Sequence, residues 1–288
     1  MLDLYINISN GLDALQTALK VSIQNADNFN TPGFKGTLVS FMSQAGSVDS
    51  SGTVIEGTKS TNPIEVPGSM VLGSTTTDWA QGNIGHGGNL DLAVSGEGFF
   101  SLSYSALEET KKVYTRNGTF IKNSEGTHIV DPSGRKLYGY KTDENGKALN
   151  STLVPIETDG NLDVGFAEGG ILMSNFQAYE DAVTTGNPLP ERKALYRVAL
   201  TTFSNKNGLM TVSGGAWKSS IASGDALEYG LPGDGIYGNI LNNSLESSNI
   251  DVAFVALQMA LLNRGFSAIQ GVIDDVNKVF NNLISKLS

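Results

Sequence analysis

The chain has no cysteine among its 288 residues and only two histidines, His86 and His128. The first absence excludes a disulfide scaffold, a thiolate zinc site and a cysteine nucleophile. The second leaves no pair of imidazoles at metal-ligand spacing, so zinc chemistry of the HExxH type is excluded. His86 sits in Gly85-His86-Gly87-Gly88, a turn-like run, and is read as a surface-loop residue. Basic residues are also scarce, with 19 Lys and Arg against 29 Asp and Glu and a net charge of −10. Nucleic acids and anionic lipid surfaces are held by clustered Lys and Arg, so no nucleic-acid partner is expected. No run of 18 consecutive apolar residues occurs, from which no membrane insertion is expected. The start, Met1-Leu2-Asp3-Leu4-Tyr5, lacks the basic residues and unbroken apolar run of a signal peptide, which taken alone predicts a cytoplasmic protein.

Enzyme motifs are equally thin. Neither a GxxxxGK[ST] phosphate loop nor a GxSxG nucleophile elbow is present. The run Gly233-Asp234-Gly235-Ile236-Tyr237-Gly238 matches GxGxxG only formally, because it follows Pro232 and no helix pattern opens after it. The adjacent acids Glu108-Glu109 and Asp274-Asp275 do not face each other on a helix and read as solvated surface. No catalytic residue, no cofactor and no metal site are expected, and the chain reads as a protein that works by assembly.

What the sequence does hold is helix period at both ends. Tyr5, Ile8, Leu12, Leu15, Leu19, Ser22 and Ala26 recur at alternating steps of three and four, and the pattern stops at Thr31-Pro32-Gly33. A second seam is longer. Val252, Val255, Met259, Leu262, Phe266, Ile269, Ile273, Val276, Phe280, Leu283 and Leu287 keep the same alternation without a miss. Ser248 to Asp251 reads as a capping box with Ser248 as N-cap. Gly265 and Gly271 lie off the seam and suggest close approach of a neighbouring backbone.

Between the ends, residues 36–245 show no useful helix period. Residues 43–62 are about half Ser, Thr and Gly and read as an extended connector. Short β-type runs follow, punctuated by Asn117-Gly118, Asn145-Gly146, Asp159-Gly160 and similar turn pairs. The expected fold class is α+β, with long, paired, coiled-coil-like terminal helices flanking an antiparallel β-rich middle. The expected parts are 1–30 plus 246–288 as a helical domain, 31–75 as a connector and 76–245 as a β-rich domain, with 141–195 as a possible insertion.

Five segments carry a resemblance. Asn28 with Thr31-Pro32-Gly33-Phe34-Lys35 is similar to the segment that closes the N-terminal helix in the bacterial flagellar rod and hook family. Gln81-Gly82-Asn83 with Leu90 to Phe100 resembles that family's central signature. Tyr114-Thr115-Arg116-Asn117-Gly118-Thr119-Phe120, Ala199 to Asn205, and Leu245-Glu246-Ser247-Ser248-Asn249-Ile250-Asp251 match further segments in the same order. The family's usual run in the last helix is replaced here by Asn263-Arg264-Gly265-Phe266-Ser267-Ala268-Ile269.

The resemblance implies a structural subunit of the flagellar rod, most like a rod protein, distal or proximal. Its terminal helices would pack into the inner tube of a helical shaft that transmits torque and encloses the export channel. It implies a place in the basal body, spanning the periplasm, reached through the flagellar export apparatus without a cleavable signal peptide, which overrides the cytoplasmic expectation. Expected partners are copies of itself and other rod and hook subunits. Expected interface residues are Ile8, Leu12, Leu15, Leu19, Thr31, Pro32, Gly33, Phe34, Lys35, Val252, Val255, Met259, Leu262, Phe266, Ile269, Ile273, Val276, Phe280 and Leu283. The alternatives are the hook protein, a secreted β-rich fibre or adhesin with a coiled-coil end, and a hydrolase with an unrecognised triad.

Overall fold

The computed structural model describes residues 2–43, 48–50, 64–65, 70–104, 112–158, 160 and 163–287. They form two compact units. One comprises the two ends of the chain with residues 36–78. The other comprises residues 28–35 and 79–249.

The helical unit contains α1 (Leu2–Asp27) and the long α3 (Val252–Leu287). α1 ends just before the Thr31-Pro32-Gly33 turn, where Thr31 N–H donates to the Asn28 carbonyl and proline disfavours helix in the residue before it. α3 begins three residues later than a Ser248 cap would place it. Asp251 is the cap: its Oδ1 accepts from the N–H groups of Ala253 and Phe254 at 2.9 and 3.2 Å, satisfying two orphan donors of the first turn.

Residues 36–78 are not simply a connector. Strand Thr37–Ser43 pairs antiparallel with Met70–Thr77, with a register shift between Ser40 and Phe41. Asn25 fastens this arm to α1 by a reciprocal pair with Thr37, donating to its carbonyl and accepting from its N–H, both at 2.9 Å. Of the segment 43–62, only Ser43 and Val48–Ser50 are described, and the expected extended connector otherwise lies outside the described residues.

The β unit carries a twelve-stranded sheet among the described residues, and every described strand pairing in the chain is antiparallel. Its main path runs Val164–Ala167, Ile171–Ser174, Ala194–Val198, Lys136–Lys141, Phe99–Ser103, Val113–Thr115, Ala216–Lys218, Met210–Val212. Residues 141–195 supply one end of this path, so they continue the sheet.

Successive side chains on Phe99–Ser103 point to opposite faces, and both faces are covered. Phe100 and Leu102 enter the main core with Leu92, Leu137, Phe166 and Leu200. Phe99 enters an aromatic cluster with Tyr114, Phe203 and Trp217, whose rings stand edge to face at centroid distances of 4.7–6.0 Å. Burial and the neighbouring Tyr229 hydroxyl push the Tyr114 phenol far above its ordinary range.

One helix was not expected in the middle of the chain. α2 (Phe176–Thr185) buries only Phe176 and Ala182. Its first turn is capped from a distance, the Asp163 carboxylate accepting from Gln177 and Ala178 N–H at 2.7 and 3.0 Å.

Candidate functional site

Two features stand out, one in each unit: a helix pair with an uncovered apolar face, and a buried cluster of three charges.

In the helical unit Leu15, Ala18 and Leu262 form a small core, flanked by Leu19, Val39 and Ile269. The side of α1 that is covered runs through Gly11, Ala14, Leu15, Ala18, Ser22 and Asn25. That stripe is rotated from the one through Ile8, Leu12 and Leu19, which are half-buried. Four of these six residues are Gly, Ala or Ser, and small residues let partners approach closely. A Cβ on Gly11 would touch Ile269 at 3.5 Å, and one on Gly265 would touch Leu15 at 3.3 Å. Gly265 therefore seats a side chain and not a backbone, while Gly271 meets nothing within 4 Å. Ser22 is fully enclosed and satisfies its hydroxyl by donating to the Ala18 carbonyl at 2.9 Å.

On α3 the long seam is covered toward its N-terminal half. Val255 and Leu262 are buried, and Met259, Phe266, Ile269, Ile273 and Val276 are half-buried. Val252, Phe280 and Leu283 are about half exposed. A second row was missed by sequence reasoning. Phe254, Leu257, Leu261, Val272 and Val279 are exposed by 48–59% and follow one another at steps of three, four, eleven and seven, which keeps them on one other side of the helix. The spacing was readable, but the stronger seam beside it drew the assignment.

α3 is also long and apolar enough to cross a membrane by length and composition, with only 11% of the relevant window buried. The expectation built on unbroken apolar runs was too strict in that respect. Asn263, Ser267, Asp274, Asn277 and Asn281 nevertheless leave a polar strip along the same helix, a poor surface to present to hydrocarbon.

In the β unit four of the five resembling segments meet at one carboxylate. Glu246 is fully buried. Its Oε1 accepts from Lys35 Nζ at 2.6 Å and from Gly82 N–H at 3.0 Å. Its Oε2 accepts from Arg116 Nε at 3.0 Å, and Arg116 Nη2 lies 2.9 Å away. Carbonyls take the remaining donors: Ala80 from Lys35 at 2.8 Å, Gly96 and Gly98 from Arg116 Nη1 at 2.7 Å, and Val94 from Nη2 at 2.9 Å. Every charged group in the cluster is thus hydrogen-bonded, the second cation being met by backbone carbonyls, as burial demands.

The backbone closes around the same point. Gly33 N–H donates to the Glu246 carbonyl at 2.7 Å. Gly33 has φ +67, and a Cβ there would overlap the backbone of Arg116 and Asn117. The Asn117-Gly118 pair is likewise no hairpin turn: a Cβ on Gly118 would collide with the Leu92 carbonyl. Only glycine admits these approaches.

Gly33, Phe34 and Lys35, all expected at a subunit interface, are buried in the β unit, and Lys35 spends its charge on Glu246. Thr31 and Pro32 are half-buried. Each motif showed in the sequence, but Glu246 lies 211 residues from Lys35 and 130 from Arg116, and no spacing rule connects them.

The histidines stand apart from both features. His86 belongs to strand Ile84–His86, paired with Ser244–Glu246, and not to a loop; it is exposed. His128 Nδ1 lies 2.8 Å from the Thr127 hydroxyl, and its Nε2 lies 3.1 Å from Lys136 Nζ. Burial, then the Lys136 charge, lowers its pKa below the ordinary histidine value. Gly233–Gly238 forms a turn closed by Gly233 N–H on the Gly238 carbonyl at 3.0 Å.

No family model matches the chain. The chain is similar along nearly its whole length to proteins named flagellar basal-body rod protein FlgG. That of Bacillus subtilis (strain 168) is 26% identical over 98% of this chain and 97% of its own length. That of Agrobacterium fabrum (strain C58) is 25% identical over 96% of this chain and 95% of its own. The flagellar hook protein FlgE of Helicobacter pylori (strain 26695) is 29% identical, but over 57% of this chain and 23% of its own length.

Proposed function

We propose that this chain is a structural subunit of the flagellar rod, within the bacterial flagellar basal-body rod and hook family; near full-length similarity to rod proteins supports this, as does the shorter match to a hook protein. It works by self-assembly into a helical tubular shaft that transmits motor torque to the hook and encloses the export channel. It performs no catalysis. Its neighbours are copies of itself and other rod and hook subunits. It reaches the periplasm-spanning basal body through the flagellar export apparatus.

One observation carries this reading: the apolar row Phe254, Leu257, Leu261, Val272 and Val279 on α3 is left open by its own chain. Each large apolar side chain gains roughly 1.5–3 kcal/mol on full burial. In a tube these residues are covered by neighbouring copies. The polar strip on α3 favours protein and water over lipid as surroundings. Contacts that repeat head to tail without closing propagate as a helix.

The rod reading stands ahead of the hook reading because the similarity to rod proteins spans both chains, whereas the hook match spans less than a quarter of the hook protein. The test is expression in a motile bacterium lacking its own rod protein, followed by electron microscopy of purified basal bodies. Recovery of the chain as a continuous segment of the shaft, with α1 and α3 lining the channel, is expected. Its absence from basal bodies that assemble normally would refute the proposal.

A further inference from the structure

The β unit holds four arginines, and three have acidic partners. Arg116 is bound to Glu246. Arg135 Nε donates to the Asp131 carboxylate at 2.7 Å, and its outer nitrogens donate to the Ser213 and Gly214 carbonyls at 3.2 Å. Arg192 lies 3.6 Å from Glu180 and stacks on Tyr179 at 4.4 Å.

Arg197 is the exception. Its Nε is shut off from solvent and has no hydrogen-bond partner, and no described carboxylate forms an ion pair with it. An N–H withdrawn from water without an acceptor is destabilising. Beside Arg197 opens a groove of about 780 Å³, lined also by Glu168, Gly169, Pro232, Asn239 and Asn242. The wall next to the guanidinium is bare, since a Cβ on Gly169 would meet Arg197 Nη2 at 3.5 Å.

We infer that this groove is a carboxylate-binding site, occupied in the assembled protein by an acidic side chain of a neighbouring copy. The outer nitrogens of the guanidinium offer a planar pair of donors that a carboxylate matches with two parallel hydrogen bonds, and the enclosed Nε–H beside them reports the contact. Asn239 and Asn242 line the same groove with polar side chains. Glu168, exposed at the rim, repels a dianion such as phosphate more than a single carboxylate. The chain's own surplus of 29 acidic over 19 basic residues makes a second copy a ready source. The choice of source rests on the assembly reading above; the site itself does not.

The test is a titration of the full-length monomer with acetate, at ionic strength held constant with chloride, following arginine Nε–H resonances. The Arg197 signal is identified by its loss in R197K, which keeps stem and charge but not the Nε–H. Acetate is expected to move that signal saturably, and inorganic phosphate to move it less. N239D, which adds a second negative charge at the exposed rim, is expected to abolish the response. A signal that acetate leaves unmoved, or that phosphate moves more, overturns the site.

In assembled protein the resonance is expected already at its bound position and insensitive to acetate. A resonance that still responds to acetate there would overturn the neighbour as source and leave a free carboxylate as ligand. Failure of the wild type to assemble at all would contradict the rod proposal without touching the monomer titration.

Discussion

Leu200 in the β unit and Leu261 on α3 are the same residue type in opposite circumstances. Leu200 is fully buried within its own chain, whereas Leu261 is 56% exposed. The contrast extends to their surroundings. The β unit seals two apolar cores and pins its crossing segments with the Glu246 cluster. The helical unit has a core of three buried residues and leaves a row of large apolar side chains in water. The β unit buries its large apolar side chains in two cores and exposes others singly, such as Leu149 and Ile221, whereas α3 exposes a continuous row that the proposed assembly would cover.

If the contrast holds, substitutions in the two regions should fail in different assays. The largest loss of stability is expected from E246A, which strands two buried cations. Removing one partner of a buried ion pair costs about 3–5 kcal/mol. Urea unfolding of the full chain, followed by the fluorescence of Trp79 and Trp217, checks it. Loss well under this range would mean that water or carbonyls replace Glu246. Next comes L262A, in the small helical core, expected to cost about 2 kcal/mol and to show in helix melting more than in tryptophan fluorescence.

L261D, one residue away, separates the two roles. It should change monomer stability by no more than about 0.5 kcal/mol, as surface substitutions do, and yet abolish assembly in sedimentation. Normal assembly of L261D would break the comparison.

The smallest effect concerns pH. The pKa of His128 is lowered in the folded protein, so its proton favours the unfolded chain. The stabilisation is present above the ordinary histidine pKa of about 6.5 and declines as pH falls below it. H128Q should flatten that slope in unfolding curves measured across mildly acidic pH.

The terminal helices were legible because their period persists over many turns, and Thr31-Pro32-Gly33 marks the end of α1. What the pattern misjudged was the side of α1 that packs. Hydrophobic periodicity weights Ile8 and Leu12, whereas close helix packing selects Gly11, Ala14 and Ala18, which such a scale ignores. The cap of α3 was placed on Ser248 because a capping box fits there, but the Asp251 carboxylate reaches two N–H groups directly. α2 escaped notice because only two of its ten residues are buried and its cap, Asp163, lies outside the helix. The Glu246 cluster was present as four separate segments in the sequence. Its chemistry exists only once strands bring Lys35, Gly82 and Arg116 to one carboxylate, which no local rule reports.

The absence of native cysteine allows the central claim to be tested by single-cysteine labelling. L261C and L262C differ by one position on α3 and by the face on which they lie. In dilute monomer, Cys at 261 should react rapidly with a thiol reagent and Cys at 262 slowly. In assembled protein both should react slowly, because a neighbouring copy then covers the open row. A cysteine at 261 that remains as reactive in the assembly as in the monomer would contradict the account.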